Sequence, residues 1–306
     1  MRKILGLASL ALMLLAGVAC NNEDVPNEPQ GKYPILFGNY ETRATAGLDD
    51  LKTNGFKVYA YFKGNTGNSH TFVKEVTYSD AQNVWGYEGL EYWIPGATYW
   101  FKAFYPTTPS AGTLTVDNTS STQSFTIADF DISKQEDIMV AETARKGMLV
   151  DKSTGAPLTG SVVNLKFEHL LSNVTIAIKA DINVTINEVT LKYLPVKGNY
   201  EKGLWSSTQE GNIYMTGLNK TLSAANNDFV DVTDGGFLTL PTTVESAKLY
   251  VKTANKEYEL SIPSVTWSAG IKYTYKLTIK QDDILFDEPS VEEWDEENAV
   301  GSVIIK

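Results

Sequence analysis

The sequence predicts an all-β chain folded as two tandem β-sandwiches. Three observations predict it. Val, Ile, Thr and Tyr are abundant, with 16 Tyr among 306 residues, and these types favour strands. Apolar and polar residues alternate over short runs, the period of a half-buried strand. Turn signals separate the runs at short intervals, which fits a sandwich. A chain of this length has room for about two domains.

The elements follow in order. Residues 33–40 form a short β-like run with Ile35 and Phe37 on one face. Residues 41–47 are small and polar and should be exposed. A helical turn or two around Leu48 to Leu51 is the one exception to the strand pattern. Phe56, Val58, Ala60 and Phe62 alternate with Lys57, Tyr59, Tyr61 and Lys63. Tyr99, Phe101, Ala103 and Tyr105 alternate likewise after a turn at residues 94–97. Phe125 with Ile127, and Ile138 with Val140, mark two more short strands. The Gly- and Pro-containing stretch 155–160 breaks the pattern. It sets the expected boundary, with one sandwich over 44–158 and the other over 159–306.

The second half opens with Val163, Leu165 and Phe167, then Val174, Ile176 and Ile178. Val184 and Ile186 fall out of phase with Val189 and Leu191, which predicts a bulge or turn at Asn187 and Glu188. Leu249 with Val251, and Tyr258 with Leu260 and Ile262, follow. The clearest strand runs from Ile271 to Ile279. Its strict alternation cannot put one stripe on a helix, so it covers a core on one side.

Composition excludes several functions. The formal net charge is -11, and an acidic surface repels phosphate backbones, so no nucleic-acid partner is expected. A lone cysteine, Cys20, permits no intramolecular disulfide. The two histidines, His70 and His169, stand in no ligand spacing, so no metal site is expected. His169 reads as a hydrogen-bonded structural residue, and most of the six Trp read as core. There is no GxSxG, no P-loop and no GxGxxG opening a helix. Neither an enzyme nor a cofactor is indicated.

The N-terminus carries an export signal. Arg2 and Lys3 precede an apolar run from Ile4 to Val18, about the length of a secretory h-region and short for a membrane span. The run ends Gly17-Val18-Ala19-Cys20, which resembles a bacterial lipobox, although Gly17 stands where Leu is usual. The resemblance implies removal of residues 1–19 and acylation of Cys20, which would then hold the chain on the outer membrane through lipid (palmitate among its acyl groups). The alternative is an ordinary signal peptide cut after Ala19. Either cut leaves 24 basic and 37 acidic residues, a charge of -13. Residues 21–31 are polar, with two Pro, and should form a flexible tether. Their acidic residues resemble a surface-export signal and equally suit a plain solvated linker.

The order of features resembles the fimbrillin (Mfa-like, type V pilus) family of Bacteroidia. The features are the lipobox, the Ile35-Leu36-Phe37 strand running into Thr42-Arg43-Ala44, and Tyr92-Trp93-Ile94-Pro95 leading to Phe104-Tyr105-Pro106. Asp137-Ile138-Met139-Val140-Ala141, the run Leu165 to Ser172 containing Phe167-Glu168-His169-Leu170-Leu171, and Trp267-Ser268-Ala269-Gly270 before Tyr273-Thr274-Tyr275 complete it. The resemblance covers essentially the whole chain, with no single diagnostic motif. It implies two transthyretin-like sandwiches and assembly by strand exchange. An arginine-specific protease cuts after the first strand, the strand leaves, and the C-terminal extension of a neighbouring subunit fills the groove.

Residues can be assigned to that scheme. Lipidation falls on Cys20, and residues 20–43 are the tether and removable first strand. Cleavage falls between Arg43 and Ala44, with Arg145 as the competing site. The displaced strand is centred on Ile35, Leu36 and Phe37. The donor end carries Val300, Val303, Ile304 and Ile305, with Val303 and Ile305 on one face. Residues 282–297 hold nine acidic residues ahead of it, a loosely anchored stretch suited to reaching another subunit. The same end could instead be a final edge strand of its own domain. A cleavable strand together with a donor end implies a shaft subunit of a cell-surface fimbrium, with other fimbrial subunits and a host or bacterial surface receptor as partners. The alternatives are a pilus anchor or tip adhesin, or a non-polymerising surface lipoprotein that binds glycans.

Overall fold

The computed structural model describes residues 33–38, 45–81, 84–143, 147–158 and 162–294. Among them the chain is all-β apart from one helix and one short 3-10 turn. It opens with β1 (Leu36–Gly38), α1 (Thr45–Asn54), β2 (Phe56–Lys63), β3 (Ser69–Ser79), β4 (Val84–Gly86) and β5 (Thr98–Tyr105). Then come β6 (Thr113–Val116), β7 (Phe125–Asp131), the 3-10 turn (Ile132–Lys134), β8 (Met139–Glu142) and β9 (Met148–Leu149). The middle of the chain gives β10 (Val162–Asn164), β11 (Lys166–His169), β12 (Ser172–Ala180), β13 (Val184–Glu201) and β14 (Leu204–Leu222). The last part gives β15 (Val230–Asp231), β16 (Phe237–Thr239), β17 (Thr242–Val244), β18 (Lys248–Thr253) and β19 (Glu257–Ser261). It ends with β20 (Val265–Trp267), β21 (Ile271–Ile279), β22 (Ile284–Phe286) and β23 (Ser290–Glu293).

Two apolar cores result. The first lies against a seven-stranded sheet of order β11-β8-β5-β2-β3-β4, with β9 added to β5. Phe56, Val58 and Ala60 of β2 and Tyr99, Phe101 and Ala103 of β5 point into it, joined by Phe37 and Val163 from the separate β1–β10 pair and by Ile35 just before β1. The second core draws on two sheets, β19-β18-β13-β7-β6 with β14 on β13, and β15-β12-β21-β22 with β16 and β23 added. β6 and β7 precede residue 158, yet β7 pairs with β13, and Ile127 and Phe130 feed the second core.

The local reasons follow the sequence. β2, β5 and β21 stand where alternation predicts them. β13 has its irregularity between Ile186 and Glu188, at the predicted phase change. Helix α1 is longer than the predicted turn or two. Its Leu51 packs fully buried in the first core. It stops at Gly55, whose φ of 70° lets its N–H bond the Leu51 carbonyl at 2.8 Å. Alternation does not mark β14, because Ser206 to Glu210 are all exposed and polar. That strand is held by its ladder to β13, closed by the two-residue turn Lys202-Gly203 with φ of 51° and 85°.

One buried pair anchors the second core. Trp267 is fully buried, and its Nε1–H donates to the Tyr275 hydroxyl at 3.1 Å. Burial pushes the Tyr275 hydroxyl up to about 12. Tyr87 and Tyr99 beside the first core are raised to about 12 for the same first cause. Tyr275→Phe leaves the indole N–H buried and unpaired, so we expect urea denaturation to show a loss of about 1–3 kcal/mol. The raised tyrosines also set an alkaline limit. Unfolded tyrosine ionises near 10 while these three resist until about 12, so their contribution is intact below pH 10 and fades as pH climbs towards 12. Tyrosinate absorbance should therefore rise together with loss of structure over that interval.

Candidate functional site

The site that the structure builds around a predicted residue set is the seat of the first strand. Ile35 and Phe37 are buried in the first core, 0% and 4% exposed, while Leu36 between them is 37% exposed. This is the period-two pattern of a strand with one face inward.

The strand is held on both sides. On one side the Ile35 N–H donates to the Glu91 carbonyl at 2.9 Å, and the Trp93 N–H donates to the Tyr33 carbonyl at 2.9 Å. Pro34 and Tyr92 make the antiparallel bridge between these segments. On the other side β1 pairs in parallel with β10, Leu36 with Val162, Phe37 with Val163 and Gly38 with Asn164. Gly38 is required by this approach, since a Cβ there would meet Val162 Cγ1 at 2.5 Å. Among the described residues β10 pairs with no other strand.

Aromatic groups complete the seat. Phe37 meets Tyr87 edge-on with ring centroids 5.5 Å apart, and Phe101 at 5.9 Å. The Tyr87 hydroxyl donates to the Ile35 carbonyl at 2.7 Å and accepts the Glu91 N–H at 3.2 Å. One side chain therefore ties the first strand to the segment beside it. Without residues 33–38, the 91–93 segment and β10 would both face an empty apolar slot.

The remaining sequence-predicted site residues, Cys20, Arg43, Ala44, Val300, Val303, Ile304 and Ile305, lie outside the described residues. The sequence marks the Tyr92 to Pro95 segment but not its pairing with the first strand. It gave no sign of Tyr87, whose role depends on a contact between segments 52 residues apart.

His169 is structural, as its setting in the sequence suggests. It is buried, with Nδ1 2.7 Å from Asp137 Oδ2, and its ring stacks on Trp294 at 3.7 Å and 14°. Trp93 and Trp267 are buried, and the other four Trp are half-buried. Among the described residues no three His, Cys, Asp or Glu are grouped to hold a metal, and no helix is long and apolar enough to cross a membrane.

Comparison with known proteins places this architecture. No curated protein shows significant similarity to the chain. A fimbrial protein from Bacteroides vulgatus superposes with a TM-score of 0.61 at 18% identity, covering 87% of this chain and 100% of that one. A putative cell adhesion protein from Bacteroides ovatus gives 0.53 at 13% identity, covering 88% and 100%. Another from Bacteroides uniformis gives 0.50 at 17% identity, also covering 88% and 100%. These likenesses establish the fold. The model of the fimbrillin-like family matches residues 42–294. The chain belongs to the fimbrillin-like family.

Proposed function

We propose that this chain is a shaft subunit of a cell-surface fimbrium and assembles by exchanging its first strand. It is exported as a lipoprotein on Cys20, cut between Arg43 and Ala44 by an arginine-specific protease, and linked to its neighbour by residues 299–306. Its role is structural, in a polymer that supports adhesion. Membership of the fimbrillin-like family supports the fimbrial part. The observation that carries the exchange is the seat of residues 33–38, which is short, buried on one face and hydrogen-bonded on both sides.

The energetics favour replacement over simple loss. Burying Ile35 and Phe37 contributes roughly 1.5–3 kcal/mol each. Emptying the seat also strands backbone donors and acceptors of residues 91–93 and 162–164, at about 1–3 kcal/mol for each group left buried without a partner. A cut alone leaves the strand in place. A second strand that enters restores the ladders and refills the core. Val303 and Ile305 have the two-residue spacing of Ile35 and Phe37. Once cut, the original strand is free to dilute away, and the exchange becomes permanent.

Three variants separate the steps. Cys20→Ala should carry no radiolabelled fatty acid and fail to reach the surface. Arg43→Ala should give a folded, lipidated monomer. Deletion of residues 299–306 should give a cut subunit that accepts a neighbour's strand and cannot donate one. Heat-sensitive ladders on gels read all three, and long ladders from either of the last two variants without wild-type protein would rule out exchange through these segments.

Phe37→Ala tests the seat itself. In the uncut monomer it should lower stability by about 3–5 kcal/mol, the cost of an aromatic-sized cavity. In the assembled polymer the penalty should vanish, because residue 37 has left. A penalty of the same size in both forms would mean that the strand stays where it is.

A further inference from the structure

The outer face of the second sandwich carries two tyrosines that belong to neither core. Leu191 of β13 and Ile213 of β14 are paired and buried, so Tyr214, next along β14, faces outward and is 61% exposed. Tyr193 is 57% exposed. It is the extra residue at the register shift between Lys192 and Leu194, and its φ is 61°. A bulge re-aims one side chain. A bulky residue in the left-handed region is an outlier, where glycine would sit without strain. Here the strain is kept to hold out a ring that fills no core. Asn212 ties the two tyrosines together. Its Oδ1 accepts the Tyr193 N–H at 3.2 Å, and its Nδ2 donates to the Tyr214 hydroxyl at 3.0 Å. Tyr250 shows the contrast. It shares a row with Tyr214 across Thr190, but Lys192 Nζ lies over its ring at 4.3 Å. Among the described residues neither Tyr193 nor Tyr214 stacks on another aromatic ring or carries a lysine over its face.

Tyr193 borders a hollow of about 170 Å³, lined also by Glu210, Thr242, Glu245 and Ser246. Glu210, Glu245 and Ser246 are exposed. Lys192, next to Tyr193, and Lys248, paired with it on β18, are both engaged by Glu259, at 2.8 and 2.7 Å. The carboxylates of the hollow are therefore open acceptors, and ionised carboxylates donate nothing. A ligand that suits them brings hydroxyl donors and no negative charge. A ligand that suits an open ring face brings a flat apolar surface. A neutral sugar ring has both, C–H groups on one face and hydroxyls round its rim. The hollow takes one such ring, being smaller than the ~300–1,000 Å³ usual for larger ligands. A protein partner suits this face less. Asn212 separates the two tyrosines, and Glu210 and Thr216 flank them, so there is no contiguous apolar patch of the kind that marks a protein interface.

We propose that Tyr193, Tyr214 and the hollow beside them form a binding site for a neutral glycan. One sugar ring lies on Tyr193 and donates its hydroxyls to Glu210 and Glu245, and the glycan continues over Tyr214. The bulge at Tyr193 and the hydrogen bonds of Asn212 hold the two rings ready before the glycan arrives. The site uses no residue of the first-strand seat and does not depend on strand exchange. In a polymer each subunit would add one copy, so weak single contacts would multiply.

The test uses the full chain carrying Arg43→Ala, so that assembly plays no part in the outcome. Native gels are cast with mannan, dextran or galactan, and with polygalacturonate as the charged control. At least one neutral polysaccharide should retard the chain, and polygalacturonate should not. Tyr193→Gly and Tyr214→Ala should each weaken the retardation about tenfold. Leu204→Ala, which removes an exposed side chain elsewhere on the same hairpin, should leave it unchanged. Tyr193→Gly should also resist urea at least as well as the parent chain, because glycine relieves the backbone at φ 61°. Loss of binding without loss of stability separates a binding role from a structural one. No retardation by any of the three neutral polysaccharides would overturn the proposal, as would retardation that survives both tyrosine changes or that polygalacturonate matches. If the same two changes instead split a dimer seen by sedimentation, the face belongs to a second copy of the chain and the glycan reading falls.

Discussion

A strand that is buried on one face and paired on both edges cannot leave without a replacement, and the structure turns on this constraint. Ile35 and Phe37 fill the first core, while residues 91–93 and β10 hold the strand's backbone. The hydrogen bonds are generic to the main chain, so any extended segment can make them. The apolar face asks only for side chains of suitable size two residues apart. Under the proposed exchange, the stability of the uncut subunit and its acceptance of a second strand draw on the same interactions.

The second core gives this arrangement a rigid base. It holds the two longest strands, β13 and β14, the Trp267–Tyr275 pair is buried, and β12 and β21 run parallel in register from Asn173 to Ala180. β23 adds to β21 and delivers Trp294 to His169. Ile35 and Phe37 thus pack in the first core and the last described residue, Trp294, against the second.

Much of the fold was legible because alternation and burial coincide over much of β2, β5 and β21, whereas β12 is buried on both faces. The phase change at Asn187 and Glu188 was legible for the same reason. What escaped lacked a one-sided apolar pattern. β14 is polar on its exposed stretch and owes its place to β13 and the Lys202-Gly203 turn. Helix α1 carries a buried Leu51 amid mostly small and polar residues. β6 and β7 look like any other short strands, and only their pairing assigns them to the second core. At the site, Ile35 and Phe37 were visible as one face of a run. The residues that hold them, Tyr87, Glu91 and Val162 to Asn164, are brought in by tertiary contacts that no local pattern encodes.

The central claim is that one strand is exchanged for another in the same seat. Mass spectrometry of washed polymer, combined with hydrogen exchange, examines it most directly. The account predicts that residues 33–43 are absent from the polymer while segments 91–93 and 162–164 exchange as slowly as in the uncut monomer. Residues 33–43 recovered in equal amount with the rest of the chain, or rapid exchange in both flanking segments, would contradict it.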